Sequence, residues 1–99
     1  MARVIYRWQV ASSNFEAFRD AWRRATNRIH ESVAGAKGSF MLRSAEDSGE
    51  VLTIAKWDSI DEWKEFWGNN DNPEAMEEMR RLAKRISVEA FEDIEDHTR

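Results

Sequence analysis

At 99 residues, the chain is long enough for one domain, spanning 1–99, and too short for two. It has no cysteine, which removes disulfides, thiol catalysis, iron–sulfur clusters and cysteine-based zinc sites together. The net charge of −4 argues against nucleic acid as a partner, and the sequence shows neither a secretory leader nor a bilayer-length apolar run. A cytoplasmic protein with no nucleic-acid and no membrane partner is therefore expected.

The elements follow from periodicity. Val4, Tyr6, Trp8 and Val10 alternate with Arg3, Ile5, Arg7 and Gln9, which predicts a strand over Arg3 to Val10 with one apolar, aromatic face. Ser12-Ser13-Asn14 breaks it, and Ser13 with Glu16 has the spacing of a capping box. Phe15, Phe18, Trp22, Ala25, Ile29 and Val33 then draw one apolar stripe along a helix. Asp20 stands four residues before Arg24, the spacing of a supporting ion pair. Gly35 is a natural stop, and Gly38 opens the next element.

Ser39 to Ala45 reads as a second strand, Glu46-Asp47-Ser48-Gly49 as a hairpin loop, and Glu50 to Trp57 as a third strand that is apolar on both faces. A short helix follows over Ser59 to Gly68, capped by Ser59 with Glu62. Asn69-Asn70-Asp71-Asn72 is a loop, and Pro73 suits the first position of a helix that continues through Met76, Met79 and Leu82 toward Arg85. The last strand, Ile86 to Ile94, sets Ile86, Val88 and Ala90 against Ser87, Glu89 and Phe91. The two basic groups, Arg19, Arg23, Arg24 and Arg28 and then Arg80, Arg81, Lys84 and Arg85, read as solvated helix faces.

The order strand, helix, strand, strand, helix in two pieces, strand predicts an α+β, ferredoxin-like βαββαβ fold. Its four-stranded antiparallel sheet carries helices on one face and has strand order 4-1-3-2. Ile5, Arg7 and apolar residues of the second and third strands share the other face. A partly apolar bare sheet favours covering by a second copy, so a homodimer is expected.

This layout resembles the antibiotic biosynthesis monooxygenase (ABM) domain family of the dimeric α/β-barrel superfamily. The residues that carry the resemblance are Val4-Ile5-Tyr6-Arg7-Trp8, the aromatic first helix and the run Val51-Leu52-Thr53-Ile54-Ala55-Lys56-Trp57-Asp58-Ser59-Ile60-Asp61-Glu62-Trp63. The resemblance implies a dimeric α/β barrel with a pocket in each subunit between sheet and helices. Its haem-degrading branch has an Asn, a Trp and a His that fall near Tyr6, at Phe66 or Trp67, and near Met76 or Met79; no His stands there, which argues against haem degradation by that route. Its polyphenol oxygenases use residue types that are present here as Tyr6, Arg7, His30, Trp67 and Asn69.

Five tryptophans in so short a chain point either to a bulky core and interface or to an aromatic-lined pocket. For the second reading, Tyr6, His30 and Trp67 are the candidate catalytic residues, with His30 of a residue type that can take a proton from a phenol. Trp8, Trp63, Phe66, Met76, Met79 and Arg7 are the candidate substrate contacts. The simpler reading makes the aromatic residues core and His30 a solvated edge residue. The acids near the end alternate along a strand and do not converge, so no metal is expected; no cofactor is expected either. The first functional expectation is a cofactor-independent monooxygenase of a small aromatic or quinol-type substrate. The alternatives are a non-catalytic small-ligand or haem-binding dimer, and a structural or stress-associated dimer with a filled core.

Overall fold

The computed structural model describes residues 1–68 and 76–98, so the expected loop at 69–72 and the helix start at Pro73 lie outside the described residues. Strand β1 spans Ala2–Gln9, helix α1 Phe15–Ser32, β2 Ala36–Arg43, β3 Glu50–Trp57, α2 Ile60–Gly68, α3 Glu77–Leu82 and β4 Lys84–Glu92. The strands form an antiparallel sheet in the order β2-β3-β1-β4, the ferredoxin-like arrangement. Helix α1 packs on β2 and α3, and α2 packs on β3 and β4. Among the described residues no helix is long and apolar enough to cross a membrane.

Alternation in β1 decides which face is roofed. Val4, Tyr6 and Trp8 turn toward the helices and are buried, as are Val51, Thr53 and Trp57 of β3. Phe18 of α1 and Met79 of α3 close the core from above, and Trp8 meets the edge of Phe18 at 5.1 Å between ring centres. The opposite face carries Ile5 opposite Ile54, Arg7 opposite Leu52, and Phe40 and Leu42 from β2 opposite Ile54 and Leu52.

Several local expectations are corrected. The capping box of Ser13 and Glu16 does not form: Ser12–Asn14 is a 3₁₀ turn, Asn14 caps α1 without a side-chain hydrogen bond, and Glu16 accepts instead from Arg19. Asp20 pairs with Arg23, while Arg24 crosses to Glu78 of α3. The second cap does form, since the Ser59 hydroxyl accepts from the Glu62 N–H; the Glu62 carboxylate accepts from that same hydroxyl.

Strand β2 starts three residues before the expected Ser39. Gly38 does not open it but lies within it, at φ 98° and between the register positions Ala36 and Ser39, where the pairing with β3 slips. A residue with a side chain adopts that backbone only under strain, so glycine permits the bulge. Gly35 serves close approach rather than a left-handed turn. A Cβ there would run into the Glu62 side chain, and α1 itself ends in extended backbone at Val33.

Strand β4 also breaks the expected alternation. Arg7 pairs with Ser87 but Trp8 pairs with Arg85, so Ile86 is the extra residue of a bulge. Val88 and Ala90 pack on the core as expected, whereas Ile86 is turned out and is 54% exposed. The same slip turns Arg85 to the Trp8 side of the sheet, so it is not part of a solvated helix face.

Candidate active site

Under the helices the sheet holds an apolar cavity of about 50 Å³, walled by Tyr6, Thr53 and Trp57 of the sheet, Trp22 and Ile29 of α1, and Met79 of α3. Thr26, Ser39, Phe66 and Met76 also line it. Of the residues expected at a pocket, Tyr6, Phe66, Met76 and Met79 therefore meet around one cavity. The others stand elsewhere. Trp8 is fully buried beneath it and donates its indole N–H to the Thr53 hydroxyl at 3.1 Å. His30 is on the exposed side of α1 and its Nδ1–H donates to the Ala36 carbonyl at 2.9 Å. Arg7 is on the opposite face of the sheet, within 3.5 Å of Glu89 and 3.9 Å of Glu50.

Trp63 and Trp67 do not form an open slot with Tyr6. They pack against it. Trp63 stacks on Trp67 with ring centres 5.8 Å apart, Trp67 is tilted over Tyr6 at 5.8 Å, and the Trp63 N–H donates to the Tyr6 hydroxyl at 3.2 Å. The Arg85 guanidinium lies 5.1 Å over the Trp67 ring. Burial pushes the Tyr6 phenol up to about 12, against smaller downward pulls from the Trp63 N–H and the Arg85 charge. Burial in turn lowers Arg85, with the neighbouring Arg80 charge acting the same way and Tyr6 opposing it. Tyr6 is thus neutral across the physiological range. Its oxygen accepts from Trp63, and its O–H remains a donor.

Thr53, Trp22, Ser39 and Arg85 are members of this region that sequence reasoning passed over. One signal for Thr53 was available: it is a polar residue among Val51, Ala55 and Trp57 on the inward side of a central strand, directly across from Tyr6. The Arg85 position depends on the bulge and has no such signal.

The sequence profile of the family described as antibiotic biosynthesis monooxygenase matches residues 1–85, and the chain belongs to that family. Its fold is shared with SnoaB, a cofactor-independent oxygenase from Streptomyces nogalater solved as an Asn-to-Ala variant. The two are 15% identical with a TM-score of 0.77 over 99% of this chain and 97% of that one. A second similar structure is Rv0793 from Mycobacterium tuberculosis, at 16% identity and a TM-score of 0.71 over 98% of each chain. No curated protein matches the sequence.

Proposed function

We propose that the protein is a cofactor-independent monooxygenase that oxidises a small aromatic or quinol-type substrate in the cavity beside Tyr6, and that it works as a homodimer joined through the open face of its sheet. Family membership supports an oxidoreductase role at the general level. The observation that carries the specific reading is that Tyr6 lines the cavity while its phenol oxygen accepts from the Trp63 N–H, which leaves the Tyr6 O–H as a donor. A phenol that already accepts one hydrogen bond is a better donor to an anionic oxygen, and the dry surroundings strengthen the contact.

In this reading Tyr6 holds an ionised substrate rather than ionising it. The electron-rich anion passes one electron to dioxygen, and recombination forms a carbon–oxygen bond as a hydroperoxide. Loss of water then leaves a carbonyl, so a phenol and dioxygen become a quinone and water with no outside reductant. At about 50 Å³ the cavity is a third of the roughly 150 Å³ that admits benzene, so its walls must yield. Met76 and Met79 are suited to this because thioether side chains have three rotatable bonds and repack at low cost.

Oxygen-electrode measurements on a panel of phenols and quinols test the proposal. Uptake should appear with at least one compound and fall about 10- to 100-fold in Tyr6→Phe, which keeps the ring but loses the donor. Uptake that is absent with every compound, or unaltered in Tyr6→Phe, refutes it.

A further inference from the structure

A second hollow opens on the outer side of the same wall. It lies between the first turns of α1 and the outer half of β2, has a volume of about 390 Å³, and is lined by Phe15, Arg19, Phe40, Met41 and Arg43. Its back wall is Trp22, whose indole N–H donates to the Ser39 hydroxyl at 3.1 Å; both residues also line the inner cavity. One hydrogen-bonded pair therefore stands between a smaller space and a larger one. The outer cleft falls within the size range of ligand pockets, about 300–1,000 Å³.

Its chemistry is specific. Phe15, Met41 and the Trp22 ring offer apolar walls for a flat ring. Over Phe15 stand two guanidiniums, Arg43 at 4.8 Å and Arg19 at 5.8 Å from the ring centre. Arg19 is paired with Glu16 at 3.0 Å through one terminal nitrogen, while its buried Nε has no partner among the described residues. No carboxylate among the described residues pairs with Arg43. The cleft thus carries one net positive charge on a chain whose net charge is −4. A concave site with a surplus cation attracts an anion against the overall field, and guanidinium groups both stack on rings and bind carboxylates through paired N–H groups.

We propose that this cleft is a second ligand site, selective for a planar aromatic ring carrying one anionic group, with Trp22 as the partition between the bound ring and the inner cavity. The site goes beyond the activity proposed above, because it binds its ligand whether or not the inner cavity turns anything over.

The test is a titration of the folded protein with 2-naphthoate and with its neutral counterpart 2-naphthamide. It is followed by the indole N–H resonances in nuclear magnetic resonance spectra, with Trp22→Phe identifying the Trp22 signal. The expected result is a saturable shift of the Trp22 signal with naphthoate while the Trp63 signal, anchored on Tyr6, stays in place. Naphthamide should bind about tenfold more weakly or worse, and Arg43→Gln should bring naphthoate down to the same level. Arg43 is exposed, so this variant folds. Equal affinity for the two compounds, no saturable binding, or naphthoate binding unchanged by Arg43→Gln overturns the proposal. Oxygen uptake on neutral quinols separates the two readings: loss of uptake with naphthoate binding intact removes the inner-cavity reading and leaves this one standing.

Discussion

The two faces of the sheet are built from the same strands and alternate residues, yet they are different materials. On the roofed face Val4, Tyr6, Trp8, Val51, Thr53 and Trp57 are all at most 4% exposed, and two buried side-chain hydrogen bonds stand there, Trp8 to Thr53 and Trp63 to Tyr6. On the open face Leu42, Ile86 and Phe91 are about half exposed beside Ile5, Leu52 and Ile54, and the polar groups are long, solvated ion pairs centred on Arg7. The difference teaches where the protein keeps its stability and which face a partner would have to cover. A dry face punishes small errors in shape and charge. A half-wet apolar face gains only when something covers it.

The largest effect is expected where the roof meets the dry face. Phe18 is fully buried, with its ring against Trp8. Phe18→Ala removes those contacts and leaves a cavity, so unfolding in urea should show a loss of about 3–5 kcal/mol. A loss below about 1 kcal/mol would mean that the two faces do not differ in packing.

The next effect comes from the chain's single tyrosine. Its phenol ionises near the ordinary 10.0 in the unfolded chain and at about 12 in the folded one. Between those values the unfolded chain binds fewer protons, so stability falls as pH rises. The contribution is fully present below about pH 10 and is lost as pH passes 12. It amounts to about 2–3 kcal/mol. Lysines titrate in the same range, so the measure is the difference between the wild-type chain and Tyr6→Phe across that window, with tyrosinate absorbance reporting Tyr6 directly. A midpoint near 10 in the folded protein would place the phenol in water.

Much of this contrast was legible in the residue order. Val4, Tyr6 and Trp8 against Ile5 and Arg7 declare their faces because a strand has a period of two, and the stripe from Phe15 to Val33 declares which side of α1 turns inward. The antiparallel order of strands follows from the element sequence. Harder to read was anything that depends on a partner far along the chain. Arg24 has a suitable Asp20 one turn away but is drawn to Glu78 of α3, because the packing of helix on helix brings that carboxylate closer. Ile86 and Arg85 exchange faces through one unpaired residue, and no local pattern announces a bulge. For the candidate site, Tyr6, Phe66, Met76 and Met79 were readable as inward-facing residues. The cavity's place toward α1 was not, because it depends on Trp63 and Trp67 filling the opposite side of Tyr6.

The smallest expected effect on the protomer is also the one that tests the open face as an interface. Leu52 lies near the middle of that face, across from Arg7 and Leu42, and is partly exposed. Replacing it with Glu puts a charge where water already reaches, so the isolated protomer should lose less than about 1 kcal/mol. In a face-to-face dimer the same carboxylate would be desolvated and would meet its symmetry copy, since a two-fold axis presents one patch to itself. The association should then weaken by about 2 kcal/mol or more, roughly 30-fold in Kd. Sedimentation over a concentration series reads this directly: wild-type dimer at concentrations where Leu52→Glu is a folded monomer. A wild-type chain that sediments as a monomer, or a variant that associates as tightly as wild type, would show that nothing covers this face through Leu52, and its half-exposed apolar residues would need another explanation.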